Sequence, residues 1–209
     1  MPQTLYLTGF GAFPGVDENP TAPLARNLNR ERFGTLEVWA EVLPVSFVRA
    51  ADQVRERLTQ LEPRWVIHLG VAVGARCIRL EAKAINCVNA RPDVDAPQQA
   101  DENVEFRALT SDAPIDHHRA TEMTLNPLLA ALNGRGFLAE RSDDAGRYVC
   151  NSTYFHTLGQ HPHALFVHVP MLNASQSATS REPAEIWTAV RLHDAIHCLL
   201  ETVAGLPSS

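Results

Sequence analysis

Hydrophobic and polar positions along the first third of the chain switch repeatedly between a period of two and a period near 3.6. Residues 4–8 (TLYLT) are a short apolar run that predicts a buried strand, and Gly9-Phe10-Gly11-Ala12-Phe13-Pro14-Gly15 predicts a loop after it. Asn19 before Pro20 predicts a helix start, because asparagine caps free N–H groups and proline is tolerated in the first turn; this helix runs to about Leu28. Residues 36–43 alternate as a strand, Ser46 caps a helix through Leu58, and residues 65–69 (WVIHL) form a short apolar strand. The order β-α-β-α-β implies a largely parallel sheet with helices on both faces and right-handed crossovers.

Further along, residues 76–85 alternate as one more strand, with Arg79, Glu81 and Lys83 on a wet face and Ile78, Leu80 and Ala82 on the other. Residues 89–103 are polar and proline-bearing and predict a loop, followed by a short extended piece at 104–106. Residues 115–132 predict a helix kinked or broken by Pro127 and stopped by Asn133-Gly134. A helix then starts near Cys150, residues 164–169 form a strand, and residues 173–180 form a polar loop. The last helix spans about 183–203, with Ile186, Val190, Leu199 and Val203 on its apolar side. The expected fold is α/β, a single-domain three-layer α/β/α sandwich with a mixed, mostly parallel twisted sheet. With neither repeat nor linker, one domain is expected over residues 1–209.

Composition narrows the function classes. The formal net charge of −6 and the absence of a Lys/Arg cluster argue against a nucleic-acid or anionic-membrane surface, since phosphate backbones require clustered cations. No apolar run approaches the roughly 20 residues of a membrane span. Cys77, Cys87, Cys150 and Cys198 form no C-x-x-C pair, and the chain opens without a basic region followed by a long apolar segment. Reduced thiols and a cytoplasmic location are expected.

Among the candidate chemistry, the glycines at 9, 11 and 15 lack the spacing of a dinucleotide loop, because Pro14 stands where backbone must approach a pyrophosphate. His161 and His163 fall in a surface turn with no carboxylate or cysteine pattern to complete a zinc site, so no metal is expected. His193 and His197 read as solvated helix residues. The sharper signal is Cys150, which precedes Tyr154, Phe155 and Leu158 at helical spacing and so sits at a helix start. Such sites lower a cysteine pKa from about 8.5 to roughly 3.5–7.5, and the thiolate is the nucleophile. His168 interrupts an apolar strand, FVHVP, near its carboxyl end, where α/β folds collect their sites. Taken alone, each reads as a core residue; together they read as nucleophile and base. A histidine base works best beside a carboxylate, and Glu81 is the best placed, with a solvated partner of Arg79 or Lys83 as its other reading.

Four elements carry a resemblance to the pyrrolidone-carboxylate peptidases (pyroglutamyl-peptidase I), cysteine peptidases that remove N-terminal pyroglutamate. Gly9 through Phe13 with Asn19-Pro20-Thr21 is similar to the family's GFxPFxxxxxNPS element, and Glu81-Ala-Lys-Ala-Ile-Asn86 matches ERVAIN loosely. Ala145-Gly146-Arg147-Tyr148-Val149-Cys150-Asn151 matches AGxYxCN closely, and Phe166-Val167-His168-Val169-Pro170 matches FIHVP. The resemblance implies Cys150 as nucleophile, His168 as general base then acid, and Glu81 as the carboxylate that orients it. It also implies a lactam pocket lined by Phe10 and Phe13, with Asn19 and the backbone near Tyr148 and Val149 holding the ring, and Arg91 near the oxyanion. No cofactor is implied; the partner is a peptide with N-terminal pyroglutamate, and a homotetramer is common in the family.

The chain also departs from the pattern. Gly70-Val-Ala-Val-Gly74-Ala75-Arg76 replaces a paired-glycine element, Ala82 stands where an arginine usually follows the glutamate, and His168 follows Cys150 by only 18 positions. The first two changes are expected at the floor of the site, and the third reads as a trimmed loop. They keep two alternatives open: a relative that only binds pyroglutamate-like molecules, or an amidase for another small acyl group.

Overall fold

A computed structural model describes residues 3–13, 15–89, 106–172 and 186–207. Their first half follows the predicted alternation with one unexpected addition, the short second strand: β1 (Gln3–Phe10), α1 (Thr21–Leu28), β2 (Arg32–Phe33), β3 (Leu36–Leu43), α2 (Phe47–Leu61) and β4 (Trp65–Ala72). Ser46 caps α2 as expected, its hydroxyl accepting the Arg49 N–H at 3.2 Å. Asn19 acts one residue earlier than a cap, for α1 starts after Pro20 while Asn19 Oδ1 accepts the Thr21 N–H at 3.1 Å.

The second half brings corrections. The strand expected over 76–85 is broken at Ala82 into β5 (Ile78–Glu81) and β6 (Lys83–Ile85). Its supposedly wet face is covered at Glu81, which is fully buried, while Arg79 and Lys83 stay partly exposed. The short β7 (Val88–Asn89) pairs with β8 (Phe106–Arg107), while the loop expected at 89–103 lies almost wholly outside the described residues. The helix expected over 115–132 is shorter. β9 (His118–Ala120) pairs antiparallel with β6, and the helix α3 (Leu125–Gly134) begins late enough that Pro127 falls in its first turn, where a missing N–H breaks no bond. The edge strand β10 (Ala139–Ser142) was not expected; α4 (Val149–Leu158) and β11 (Ala164–Pro170) were. The last helix, α5 (Ala189–Ala204), starts later than expected because Thr188 caps it, accepting the Arg191 N–H at 3.1 Å. Ile186 therefore precedes the helix, and Val190 is 71% exposed rather than on the apolar side. The polar loop at 173–180 lies outside the described residues.

The main sheet has seven strands in the order β10-β5-β11-β4-β1-β3-β2. Four neighbouring pairs are parallel, whereas β11–β5 and β2–β3 are antiparallel, so the sheet is mixed and mostly parallel. Alternate side chains feed two cores. Leu5, Leu7, Ile67, Leu69, Leu165 and Val167 face α1, α3 and α5; Tyr6, Phe10, Val66 and Phe166 face α2 and α4. From β1 the chain crosses by α1 to β3 on one side and then by α2 to β4 on the other. The strand order reverses between β1 and β4, and a crevice opens there at the strands' carboxyl ends. Among the described residues, no helix is long and apolar enough to cross a membrane.

Candidate active site

Three elements converge on this crevice. β4 and β11 run parallel with Gly70 beside His168 in register, so both end at the same level of the sheet. α4 descends over them from a turn in which Gly146 takes φ +83°, a backbone conformation suited to glycine. Cys150 lies in the first turn of α4, whose N-cap residue Tyr148 supplies no side-chain cap. The thiol stands directly above Gly70: a Cβ built there would lie 3.1 Å from Cys150 Sγ and 2.7 Å from the Phe166 ring. A bare backbone position is what admits the sulfur.

His168 connects the thiol to a buried carboxylate. Its Nδ1 donates to Glu81 Oε1 at 2.8 Å, and it also hydrogen-bonds with Cys150. β5 runs antiparallel to β11, which sets Phe166 opposite Glu81 and His168 opposite Arg79, all on the face that α4 covers. Burial by itself lowers the His168 pKa; the hydrogen bonds to Cys150 and Glu81, with their negative charge, outweigh it and raise the pKa to about 9. An imidazolium is thereby favoured near neutral pH. Glu81 Oε2 is buried and has no hydrogen-bond partner among the described residues, so the imidazolium is the cation available to it.

The layer behind these residues is tied down by side chains from α4. Asn151 Oδ1 accepts the Ile85 N–H at 2.9 Å, and its amide nitrogen donates to the Ile85 and Cys87 carbonyls, also at 2.9 Å. Tyr154 donates its hydroxyl to the Glu81 carbonyl at 2.8 Å, and burial raises its pKa, which keeps the phenol protonated. Phe166 packs 4.7 Å from the His168 ring and 6.2 Å from Phe10.

A cavity of about 280 Å³ opens over the thiol. Phe10, Phe13, Asn19, Tyr148 and Val149 all line it, together with Cys150 and His168. Asn19 is partly committed: Nδ2 donates to the Gly11 carbonyl at 3.0 Å while Oδ1 accepts from Thr21, which shapes the loop carrying the two phenylalanines. Arg91 lies outside the described residues. Val71, Ala72 and Val73 line the cavity as an altered floor would, but Ala82 does not. It packs into the core on the opposite side of the sheet, so that replacement leaves the floor untouched.

Sequence reasoning missed several residues here. Val45, Arg79, Asp144 and Arg147 also line the cavity; the spatial order of strands brings Val45 and Arg79 there, whereas Asp144 and Arg147 lie in the turn that precedes Cys150. His68 carried a signal, an imidazole inside the apolar run WVIHL. It is fully buried, with Nδ1 2.7 Å from Thr8 Oγ1 and Nε2 2.9 Å from Thr157 Oγ1. Thr157 gives its hydroxyl proton to the Thr153 carbonyl, so it accepts from Nε2–H, and Nδ1 accepts from Thr8. Burial pushes the His68 pKa down to about 3. His161 donates to the Pro63 carbonyl, and among the described residues no three His, Cys, Asp or Glu side chains cluster as a metal site requires.

Comparison with known proteins gives a consistent picture. Residues 3–191 match the family described as Pyroglutamyl peptidase. The pyrrolidone-carboxylate peptidase of Thermococcus litoralis is 35% identical over 171 residues, covering 78% of this chain and 74% of that one. That of Halalkalibacterium halodurans is 33% identical over 177 residues, covering 81% and 85%. The solved pyrrolidone carboxyl peptidase of Pyrococcus furiosus superimposes with a TM-score of 0.84 at 25% identity, covering 97% of this chain and 99% of that one.

Proposed function

The chain belongs to the pyroglutamyl peptidase family, and from that premise we propose that it is a cysteine exopeptidase removing N-terminal pyroglutamate from peptides through a thioester acyl-enzyme. The observation that carries the reading is the Cys150 thiol seated over Gly70 beside a histidine that Glu81 holds from behind.

In this reading Cys150 is the nucleophile. His168 takes the thiol's proton, and the sulfur attacks the pyroglutamyl carbonyl carbon as a thiolate. Negative charge passes to the carbonyl oxygen, where the N–H groups of the uncapped first turn of α4 receive it. Because Nδ1–H is occupied by Glu81, Nε2 faces the reaction and gives its proton to the departing amine as the C–N bond breaks. The neutral imidazole then takes a proton from water, whose oxygen attacks the thioester; the C–S bond breaks, and pyroglutamate leaves. Glu81 keeps the ring in one tautomer and supports its charge through both halves of the cycle.

The lactam fits between the faces of Phe10 and Phe13, a flat five-membered ring against flat rings, while Asn19 and the backbone at Tyr148 and Val149 read its polar edge. Arg91 is assigned to the oxyanion by resemblance, and Arg91→Ala is expected to lower kcat. A cytoplasmic homotetramer is part of the same proposal; light scattering of the purified chain that shows only monomers removes the assembly, and its recovery outside the cytosol removes the location.

The test is release of a fluorescent amine from its L-pyroglutamyl amide, with a prolyl amide and Cys150→Ser as controls. Cleavage of the pyroglutamyl amide alone, lost in the variant, supports pocket and nucleophile together. No cleavage by the folded, reduced protein refutes the assignment.

A further inference from the structure

The cavity extends past the catalytic histidine to a cation that the peptidase reading leaves without a role. Its lining follows the strand order. Phe10 ends β1 and Val45 follows β3 on one side, Gly70 beneath the thiol lies on β4, His168 is on β11, and Arg79 is on β5 beyond it. The aromatic end holds the acyl group, and His168 protonates the amine that departs. The leaving peptide therefore runs from the thiol across His168 toward β5. Arg79 and His168 are register partners in the antiparallel β5–β11 pair, which puts their side chains on one face with Cβ atoms about 5 Å apart.

Arg79 is available to a ligand on that side. Its side chain is 41% exposed, and its Nε donates to Glu140 Oε1 at 3.0 Å, with the Cys77 thiol against the same pair. Glu140 comes from the neighbouring strand β10 and does not line the cavity, so it holds the guanidinium from outside. Among the described residues, the charged side chains on the wall other than Arg79 and the His168 imidazolium are Asp144 and Arg147, which are paired with each other. Among the described residues lining the cavity, the cation at the leaving-group end is Arg79, whose Nε Glu140 engages.

We infer that Arg79 is a specificity residue that binds a carboxylate on the first residue after the scissile bond. The inference rests on the pyroglutamyl-peptidase reading of the site. Two sources present this group to a guanidinium: the α-carboxylate of a pyroglutamyl dipeptide, and an acidic side chain at the head of a longer peptide. An arginine fork takes either in paired hydrogen bonds.

The experiment measures kcat/KM at low ionic strength for two matched pairs: pyroglutamyl-alanine against its amide, and pyroglutamyl-glutamate amide against pyroglutamyl-glutamine amide. Wild-type protein is expected to prefer the carboxylate member of at least one pair by roughly two- to fivefold, the range for a partly exposed ion pair, and that pair identifies the source. The preference is expected to shrink in 0.5 M salt, as screening requires, to vanish in Arg79→Gln and to survive in Arg79→Lys. Glu140→Gln, which removes a competing anion outside the cavity, is expected to increase it. Equal rates within both pairs, or a preference that Arg79→Gln retains, would overturn the inference while leaving the peptidase reading intact. Failure of wild-type protein to hydrolyse even the neutral amides overturns the peptidase reading and this inference with it.

Discussion

Replacing Glu81 by glutamine tests the centre of the mechanism with little change in shape. The carboxamide fills the same volume and can still accept the Nδ1–H, but the charge behind His168 is gone. Burial lowers the His168 pKa, and it is the bonds and charge of Cys150 and Glu81 that lift it to about 9. A hydrogen bond to a charged group contributes about 1.5–3 kcal/mol, and 1.36 kcal/mol corresponds to one pKa unit, so removing the carboxylate lowers the histidine by about one to two units. Loss of the imidazolium removes the proton that the leaving amine needs, so the alkaline limb of kcat/KM reports this group. That limb is expected near pH 9 in the wild type and at roughly 7–8 in Glu81→Gln. The sign also governs stability. A histidine whose folded pKa is raised stabilises the fold fully below its unfolded pKa of about 6.5 and loses that contribution as pH rises through the folded value. In the variant the contribution is smaller and its loss is complete at lower pH. The assay is hydrolysis of the pyroglutamyl fluorogenic amide from pH 5 to 10, with circular dichroism confirming the fold at each end. An alkaline limb unmoved from the wild type, at a rate within threefold of it, would refute the role given to Glu81.

Three further outcomes follow from the packing. Gly70→Ala drives a Cβ to 2.7 Å from Phe166 and 3.1 Å from Cys150 Sγ; overpacking of this kind costs about 1–3 kcal/mol, and the displaced thiol lowers kcat by more than about tenfold, read from a denaturant melt and the same assay. Phe13→Ala removes one aromatic wall of the cavity proposed to hold the lactam and is expected to raise KM by roughly three- to tenfold with little change in kcat; an unchanged KM contradicts the ring-stacking assignment. His68 is buried neutral with its pKa held down to about 3, so the unfolded chain binds the extra proton and stability falls with pH from about 6.5 downward, by about 2 kcal/mol between pH 7 and 5. His68→Gln is expected to lose that part of the acid slope in urea titrations at the two pH values, and an equal slope in both proteins rules it out.

What could be read from the sequence, and what could not, divides along a physical line. Apart from the short β2, elements through Ala72 were legible because each is specified locally: β1 and β4 are apolar runs of strand length, and Ser46 opens α2 with its own hydroxyl. Cys150 and His168 were legible for a similar reason, since a helix start and a strand end are local features. Residues 115–124 were not, because their conformation is decided by a distant partner: β9 exists through its pairing with β6, more than thirty residues away, and the apolar pattern around it carries no trace of that. The failure at Glu81 is of the same kind. Alternation in residues 76–85 separates two faces but does not say which is wet, and it is α4, arriving some seventy residues later, that covers Glu81 and gives its charge to His168. Arg79 occupies that same face two residues earlier, yet it stays partly exposed because the crevice opens above it. One strand thus presents two charges to one site, and only depth distinguishes them: the carboxylate is buried under the helix, hydrogen-bonded to His168, and the guanidinium reaches the open end of the cavity.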